Sequence, residues 1–402
     1  MHSERLRRRV NTGDGRGLLV RAGPRNAEMT SEQFTAELKQ DAHALGFQLA
    51  GVCPAEPAAG MDRFRQWLAA GYAGHMRYLP RREKAYADPR YVLEGVRSIL
   101  MLGMNYRTAE PRRCGPCQGR VSRYAWGPQD YHSIIHERLR ELADGVLQRY
   151  PDARVRGVVD TAPLMERQYA QAAGLGWQGK NTLLLNKTYG SWFFLAALLT
   201  DLQLAYDAPA TVDHCGTCRA CLDACPTGAF PQPYVLDATR CISYLTIELR
   251  ESIPDQYREA MGDWLFGCDI CQEVCPWNQH APSLTPSPFD PLAALNPVDL
   301  AALFELDEEG FRRRFRHSPL WRPKRTGLLR NAAVVLGNSR SPVVLPALVR
   351  GLADVEPLVR AACAWALGRY DQHEAFQALR QRQVVESDED VQSEIRLSLA
   401  NS

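Results

Sequence analysis

The chain is 402 residues long, with 45% hydrophobic residues, 23% charged residues and a formal net charge of +2. At roughly 150 residues per domain this predicts two or three domains with a sizeable core, and it excludes a collagen, a coiled-coil rod and a largely disordered chain. The most apolar stretch, 191–200, is about half the length a bilayer span needs, so no transmembrane helix is expected.

Residues 1–28 lack apolar periodicity, and 1–25 carry seven arginines against Glu4 and Asp14. They are expected to be a basic, disordered extension. No apolar stretch follows them, so no export signal is read. The body begins at Met29-Thr30-Ser31-Glu32, where a Thr or Ser cap precedes the helical pattern Phe34, Leu38, Ala42, Leu45. From about 44 to 205, strand patterns at 47–52, 98–104, 154–160 and 192–199 alternate with helical ones such as 132–149. This predicts a layered α/β domain.

Three features of that domain stand out. His132 and His136 lie one helical turn apart, without the Glu of a zinc-protease motif; a packing or surface role is expected. Asp160 closes a strand and precedes Thr161-Ala162-Pro163-Leu164-Met165-Glu166. It reads either as a helix cap or as a proton donor whose pKa is raised in a partly dry site at the strand's carboxyl edge. The loop Gly174-Leu175-Gly176-Trp177-Gln178-Gly179-Lys180-Asn181 is not a nucleotide-triphosphate motif, though its amides could hold another polar cofactor edge.

Eight of the twelve Cys fall between 215 and 275. Cys215, Cys218, Cys221 and Cys225-Pro226 form Cys-x2-Cys-x2-Cys-x3-Cys-Pro, the run in which three thiolates wrap one iron–sulfur cube and the fourth reaches a neighbouring cube. The second run, Cys268, Cys271 and Cys275-Pro276, has Leu265 where its first ligand belongs, and Cys241 is the local replacement. The arithmetic closes on Cys215, Cys218, Cys221 and Cys275 for one [4Fe–4S] cluster, and Cys225, Cys241, Cys268 and Cys271 for the other. The alternative, two zinc sites, explains neither the third Cys of the first run nor the repeated Cys-Pro. Cys53, Cys114, Cys117 and Cys363 stand outside this set.

Residues 281–297 have linker composition, with five prolines. The stretch 311–330 holds eight basic residues and no acid, either a solvated face or a site for a phosphate backbone. Beyond it, 331–337 recurs 31 residues later as 362–368, which suits HEAT-type helical repeats; a third copy near Ser398 is weaker.

The ordered motifs 122–127, Asp130-Tyr131-His132, Asp160 to Pro163 with Glu166, 173–181, 190–194 and the two Cys runs together resemble the epoxyqueuosine reductases, over about residues 30–380. The resemblance implies an α+β multidomain protein. Its parts would be the extension 1–28, an α/β cobalamin and substrate domain at 29–207, and a bacterial-type two-cluster ferredoxin-like domain at 208–280. A Pro-rich, basic linker at 281–325 and C-terminal α-helical HEAT-like repeats at 326–402 would follow.

The implied activity is reduction of epoxyqueuosine to queuosine at the wobble position of a tRNA anticodon, with electrons passing through two [4Fe–4S] clusters to cobalamin. Asp160 becomes the proton donor, and Lys180, Asn181, Ser191, Phe193, Ser243 and Asp269 the cobalamin contacts. The implied partners are the tRNA anticodon stem-loop and an external low-potential electron donor, for a cytoplasmic monomer away from membranes. No Asp-x-His-x2-Gly corrinoid signature occurs, so cobalamin rests on the resemblance. The competing reading is a non-catalytic iron–sulfur electron-transfer protein with a helical docking domain, which needs no Asp160.

Overall fold

Strand Ser98–Asn105 is buried along its whole length because it lies inside a sheet covered on both faces. This computed structural model describes residues 29–400; the expected basic extension at 1–28 lies outside the described residues. The sheet runs Leu49–Pro54, Ser98–Asn105, Phe193–Thr200, Val155–Val158, each pair antiparallel. All four expected strands are present, shifted by one or two residues at their ends.

Successive side chains point to opposite faces. Leu100, Leu102, Phe194, Ala196 and Leu198 pack beneath helices Ser31–Ala44 and Tyr131–Arg149. Ile99, Met101, Ala197 and Leu199 face the other way, toward helix Glu166–Ala172. Each long helix begins where its sequence supplies a cap. Thr30 and Gln33 form a capping box, and Asp130 accepts from the His132 amide. The helix–sheet–helix layering matches expectation. The strand directions do not support the carboxyl-edge argument for Asp160, which belongs to parallel sheets; alternation of side chains carries no information about strand direction.

The α-helices of the thiol-rich segment are short, Ala220–Asp223, Ile242–Ile247, Asp255–Arg258, Ile270–Glu273 and Pro276–Gln279. Beside it, Gln118–Val121 sits between Trp264–Phe266 and Val298–Asp299 in a small sheet. One apolar core continues from this region into the C-terminal helices, joining Leu245, Phe266, Phe311, Leu328 and Val334. The stretch 281–325, expected as linker, therefore is not free chain: Phe304, Phe311, Phe315 and Leu320 are buried in that core.

Helices Lys324–Ser339 and Pro357–Leu367 carry the two repeat copies, and small residues let them close together; a Cβ on Gly337 would lie 2.8 Å from the Trp365 ring. The weaker third copy is real packing, since Ser398 of helix Glu389–Ala400 sits against Gly368.

The basic stretch 311–330 divides in two. Arg312, Arg313, Arg314, Arg316 and Lys324 are exposed. Arg322, Arg325 and Arg330 are spent inside the fold. Arg325 pairs with Asp354, and the fully buried Arg330 donates to the carbonyls of Leu245, Leu249 and Glu251. Those bonds tie the first repeat helix to the thiol-rich segment.

Candidate active site and metal centres

All twelve Cys are free thiols. The eight of the central segment sort into two facing groups. Cys221 lies in the field of Cys275, Cys215 and Cys218, and Cys275 in that of Cys215 and Cys218. Cys268 faces Cys241 and Cys225; Cys271 faces Cys268 and Cys241 and also looks across to Cys221. The thiols thus neighbour one another in two sets, adjacent through Cys221 and Cys271.

Burial and neighbouring thiols push Cys221 up to about 11 and Cys268 and Cys271 upward as well. The sulfurs are nevertheless set for negative charge. The Ala229 amide donates to Cys225 Sγ at 3.4 Å. Amides of Ser243 and Tyr244 face Cys241, that of Ile270 faces Cys268, and those of Trp277 and Asn278 face Cys275. Such N–H donors stabilise cluster thiolates. The donor set, eight thiols met by backbone amides, fits iron–sulfur cubes.

A cavity of about 300 Å3 lies between the sheet domain and this segment, with Asp160 and Glu166 on its wall together with Gln272 from the Cys271 helix. Tyr106, Tyr124, Tyr131, Phe193 and Phe194 supply aromatic walls. Asp160 has a left-handed backbone, φ +53°, a strained conformation for a residue with a side chain and one that clusters at functional sites. Its amide donates to Glu166 Oε1 at 2.8 Å, and its Oδ2 accepts from the Tyr131 hydroxyl at 2.5 Å. His132 Nε2 stands 3.4 Å from the same oxygen and is buried with no completed hydrogen bond.

Behind it, His132 Nδ1 meets Asp130 Oδ1 at 2.8 Å and Arg322 Nη2 at 2.9 Å. Tyr131 is stacked on Phe194 with ring centroids 4.2 Å apart.

The electrostatics correct one expectation. Burial works to raise the Asp160 carboxyl, but the close His132 imidazole, the hydrogen bond from Tyr131 and the charges of His132 and Arg322 outweigh it and hold it down at about 2. His132 is penalised by burial yet lifted to about 9 by Asp130 and Asp160. Burial and the Asp160 charge push Glu166 up to about 8. The protons available near neutral pH are therefore on His132 and Glu166, and Asp160 is the anion between them.

Of the six expected cobalamin contacts, Ser191 and Phe193 line the cavity. Lys180 Nζ instead reaches the carbonyls of Gly216 and Cys218, at 2.6 and 2.9 Å. Asn181 is buried and donates to the Cys271 carbonyl at 3.4 Å. Asp269, buried, accepts from the Ser122 hydroxyl and from the Arg123 amide. Ser243 sits against Cys241.

The glycines of 174–181 serve a hairpin, not an open cradle: a Cβ on Gly176 would fall 1.9 Å from the Leu185 carbonyl oxygen. His132 was expected to pack or face solvent; it belongs to the Asp160 site, brought there by residues distant in sequence. His136 makes no such contact with Asp160.

The family model for epoxyqueuosine reductase (QueG, DUF1730) matches residues 87–161. The chain is 42% identical to the Pseudomonas aeruginosa epoxyqueuosine reductase, over 84% of this chain and 95% of that one. The chain belongs to the epoxyqueuosine reductase family. The Escherichia coli K12 relative is 38% identical over 84% of this chain and 89% of its own.

A solved epoxyqueuosine reductase carrying an epoxyqueuosine-modified tRNA-Tyr stem loop superposes with a TM-score of 0.87 at 30% identity, covering 92% of this chain and 99% of that one. A Bacillus subtilis structure, TM-score 0.85 and 29% identical over 92% of this chain and 100% of that one, has its catalytic aspartate loop swung out of the active site. The 4Fe-4S double-cluster family matches 214–278, which decides between iron–sulfur and zinc, and HEAT repeats match 326–400.

Proposed function

We propose that this chain reduces epoxyqueuosine to queuosine at the wobble position of a tRNA anticodon, with Asp160 delivering the proton that lets the epoxide oxygen leave. The observation that carries this reading is the single cavity that holds Asp160 on one wall and a residue of the cluster-bearing helix, Gln272, on another. Removing an epoxide oxygen to leave a double bond takes two electrons and two protons and releases water. Electrons come from an external low-potential donor through the two clusters; protons come from the Asp160 side.

Each residue there has a defined task. Tyr131 and His132 hold Asp160 Oδ2 in place. Because Asp160 itself stays ionised near neutral pH, it acts by passing on a proton held at His132 Nε2 or at the Glu166 carboxyl. Asp130 Oδ1 accepts from His132 Nδ1–H and fixes the ring, with the Arg322 guanidinium held beside Asp130. Phe193, Leu183, Leu184 and Leu195 give the cavity an apolar lining, with Ser191 and Gln272 as polar contacts.

That lining fits one face of a flat macrocycle, and Ser191, Phe193 and Gln272 are the residues that would hold it. Cobalamin supplies low-valent cobalt able to collect two single electrons.

The target base has to be turned out of its loop to reach a cavity this size. The exposed Arg312, Arg313, Arg314, Arg316 and Lys324 are the charges suited to its phosphate backbone. In this reading residues 29–207 supply the acid and the substrate pocket, 208–280 the clusters and 326–400 a helical support. The protein works as a cytoplasmic monomer. A purely electron-carrying role leaves the strained Asp160 and its paired His132 without a purpose.

The test is anaerobic turnover of an epoxyqueuosine stem loop by enzyme loaded with both cofactors. Asp160→Asn should lower turnover by about 10²–10⁴-fold, the usual worth of a positioned acid, while keeping its iron. Unchanged turnover overturns the proton-donor role, and no product from the unsubstituted enzyme overturns the function.

A further inference from the structure

The side chain of Trp177 is 3% exposed, and its indole Nε1 is buried without a hydrogen-bond partner. A native fold rarely strands a donor in this way, so such a group asks for an acceptor. Its surroundings say which. Trp177 packs on Leu185 and Cys275, with Cys215 and Trp277 at its edge. The rings of Trp277 and His214 stand edge-on to it at 5.1 and 4.8 Å and fix its orientation. The hairpin pairing Trp177–Gln178 with Leu184–Leu185 holds its backbone.

The indole N–H faces the Cys215 sulfur, and so does the Lys180 amide. The Lys180 ammonium grips the carbonyls of Gly216 and Cys218 on the same loop. Three positive or donating groups of one loop thus converge on the first thiol quartet. Its member Cys218 is the exposed one of the eight, so this quartet is the outer of the two.

We propose that Trp177 donates its indole N–H to sulfur of the outer cluster and, with Lys180, makes that cluster the easier of the two to reduce. The inference rests on the two-cluster reading above. The step is a one-electron transfer: the external carrier is oxidised by one electron, the outer cluster is reduced by one, and no proton moves. The added negative charge spreads over the cluster sulfurs. An N–H donor and a nearby ammonium stabilise the reduced form more than the oxidised form, which raises the potential. In the described residues the second quartet is met by backbone amides and by the Thr227 and Ser243 hydroxyls but by no such indole or ammonium; each quartet has one carboxyl group beside it, Asp213 at Cys215 and Asp269 at Cys268.

The experiment is an anaerobic redox titration of the full chain followed by electron paramagnetic resonance, with iron counted in each sample. Trp177→Phe should move the midpoint of one cluster to a more negative value. The oxidised-to-reduced ratio at fixed potential should change about tenfold, or ~59 mV for one electron. The other cluster should stay put. Lys180→Met should give a smaller shift in the same direction.

Replacing Trp177 by benzothienylalanine keeps the ring volume and deletes only the N–H, so it reads the bond apart from the packing. Unmoved midpoints with eight iron atoms present overturn the proposal. So does loss of iron in the benzothienylalanine protein, which would make the role one of packing. Fewer than eight iron atoms in the unsubstituted protein would sink the two-cluster reading instead.

Discussion

The thiol-rich segment and the Asp160 rim face each other across one cavity but are held by different means. In the first, eight ligands lie within one stretch of chain, and backbone amides at fixed offsets meet their sulfurs. In the second, Tyr131 and His132 from one helix, Asp160 with Glu166, and Arg322 come from three stretches of chain and are held by one another's side chains. The first arrangement is all-or-none, because a cube with a missing ligand has no substitute nearby. The second is graded, because each member adjusts the charge of its neighbours. Substitutions on the two sides should therefore differ in kind as well as size.

The largest effect belongs to the thiols. Cys241→Ala should leave one cluster intact, halve the iron content and bring turnover to background, since the electron path to the cavity is cut. Iron analysis beside an activity assay checks this, and full iron content would remove Cys241 from the ligand set.

A middle-sized effect is expected on the rim. His132→Gln keeps a polar side chain but removes the cation beside Asp160. Turnover should fall about tenfold, equivalent to ~1.4 kcal/mol of barrier. In the unsubstituted enzyme His132 loses its proton as pH rises through about 9, so activity should drop there. The pH profile of His132→Gln should lack that limb.

The smallest effect is one of stability. Glu166 is lifted from 4.5 to about 8 in the fold, so it stays protonated there while the unfolded chain ionises it. Its contribution to stability is complete below 4.5 and is lost as pH rises through about 8. Glu166→Gln titrates nothing. The melting temperature of the unsubstituted protein should therefore decline relative to this variant across that window and run parallel to it outside, as thermal unfolding at a series of pH values would show.

The same contrast explains what could be read in advance. Cluster binding is written in local Cys spacing, so the double-cluster segment was legible from the chain. The Asp160 site is tertiary: the helix after Asp160 begins only at Glu166, with Met165 at its cap position, so the cap reading of Asp160 fails, and nothing near His132 announces Asp160 and Arg322 as its partners. The raised acid expected at Asp160 was displaced onto Glu166 and His132, because the donors that lower Asp160 arrive from another helix.

Composition misled at 281–325, where prolines suggested a linker and buried apolar residues, among them Phe289, Leu300, Phe311 and Leu320, anchor the chain instead. Basic charge counted along 311–330 overstated the surface available to a polyanion, since Arg322, Arg325 and Arg330 are used internally. Gly174 to Asn181 was legible as a special loop, but its position against Cys215 was not.

The most direct test of the whole account is iron and acid-labile sulfide analysis of the unsubstituted protein, purified under strict exclusion of oxygen. Eight iron and eight sulfide per chain are predicted from two thiol quartets. Two zinc ions and no sulfide, or a single cluster's worth of iron after full reconstitution, would contradict it.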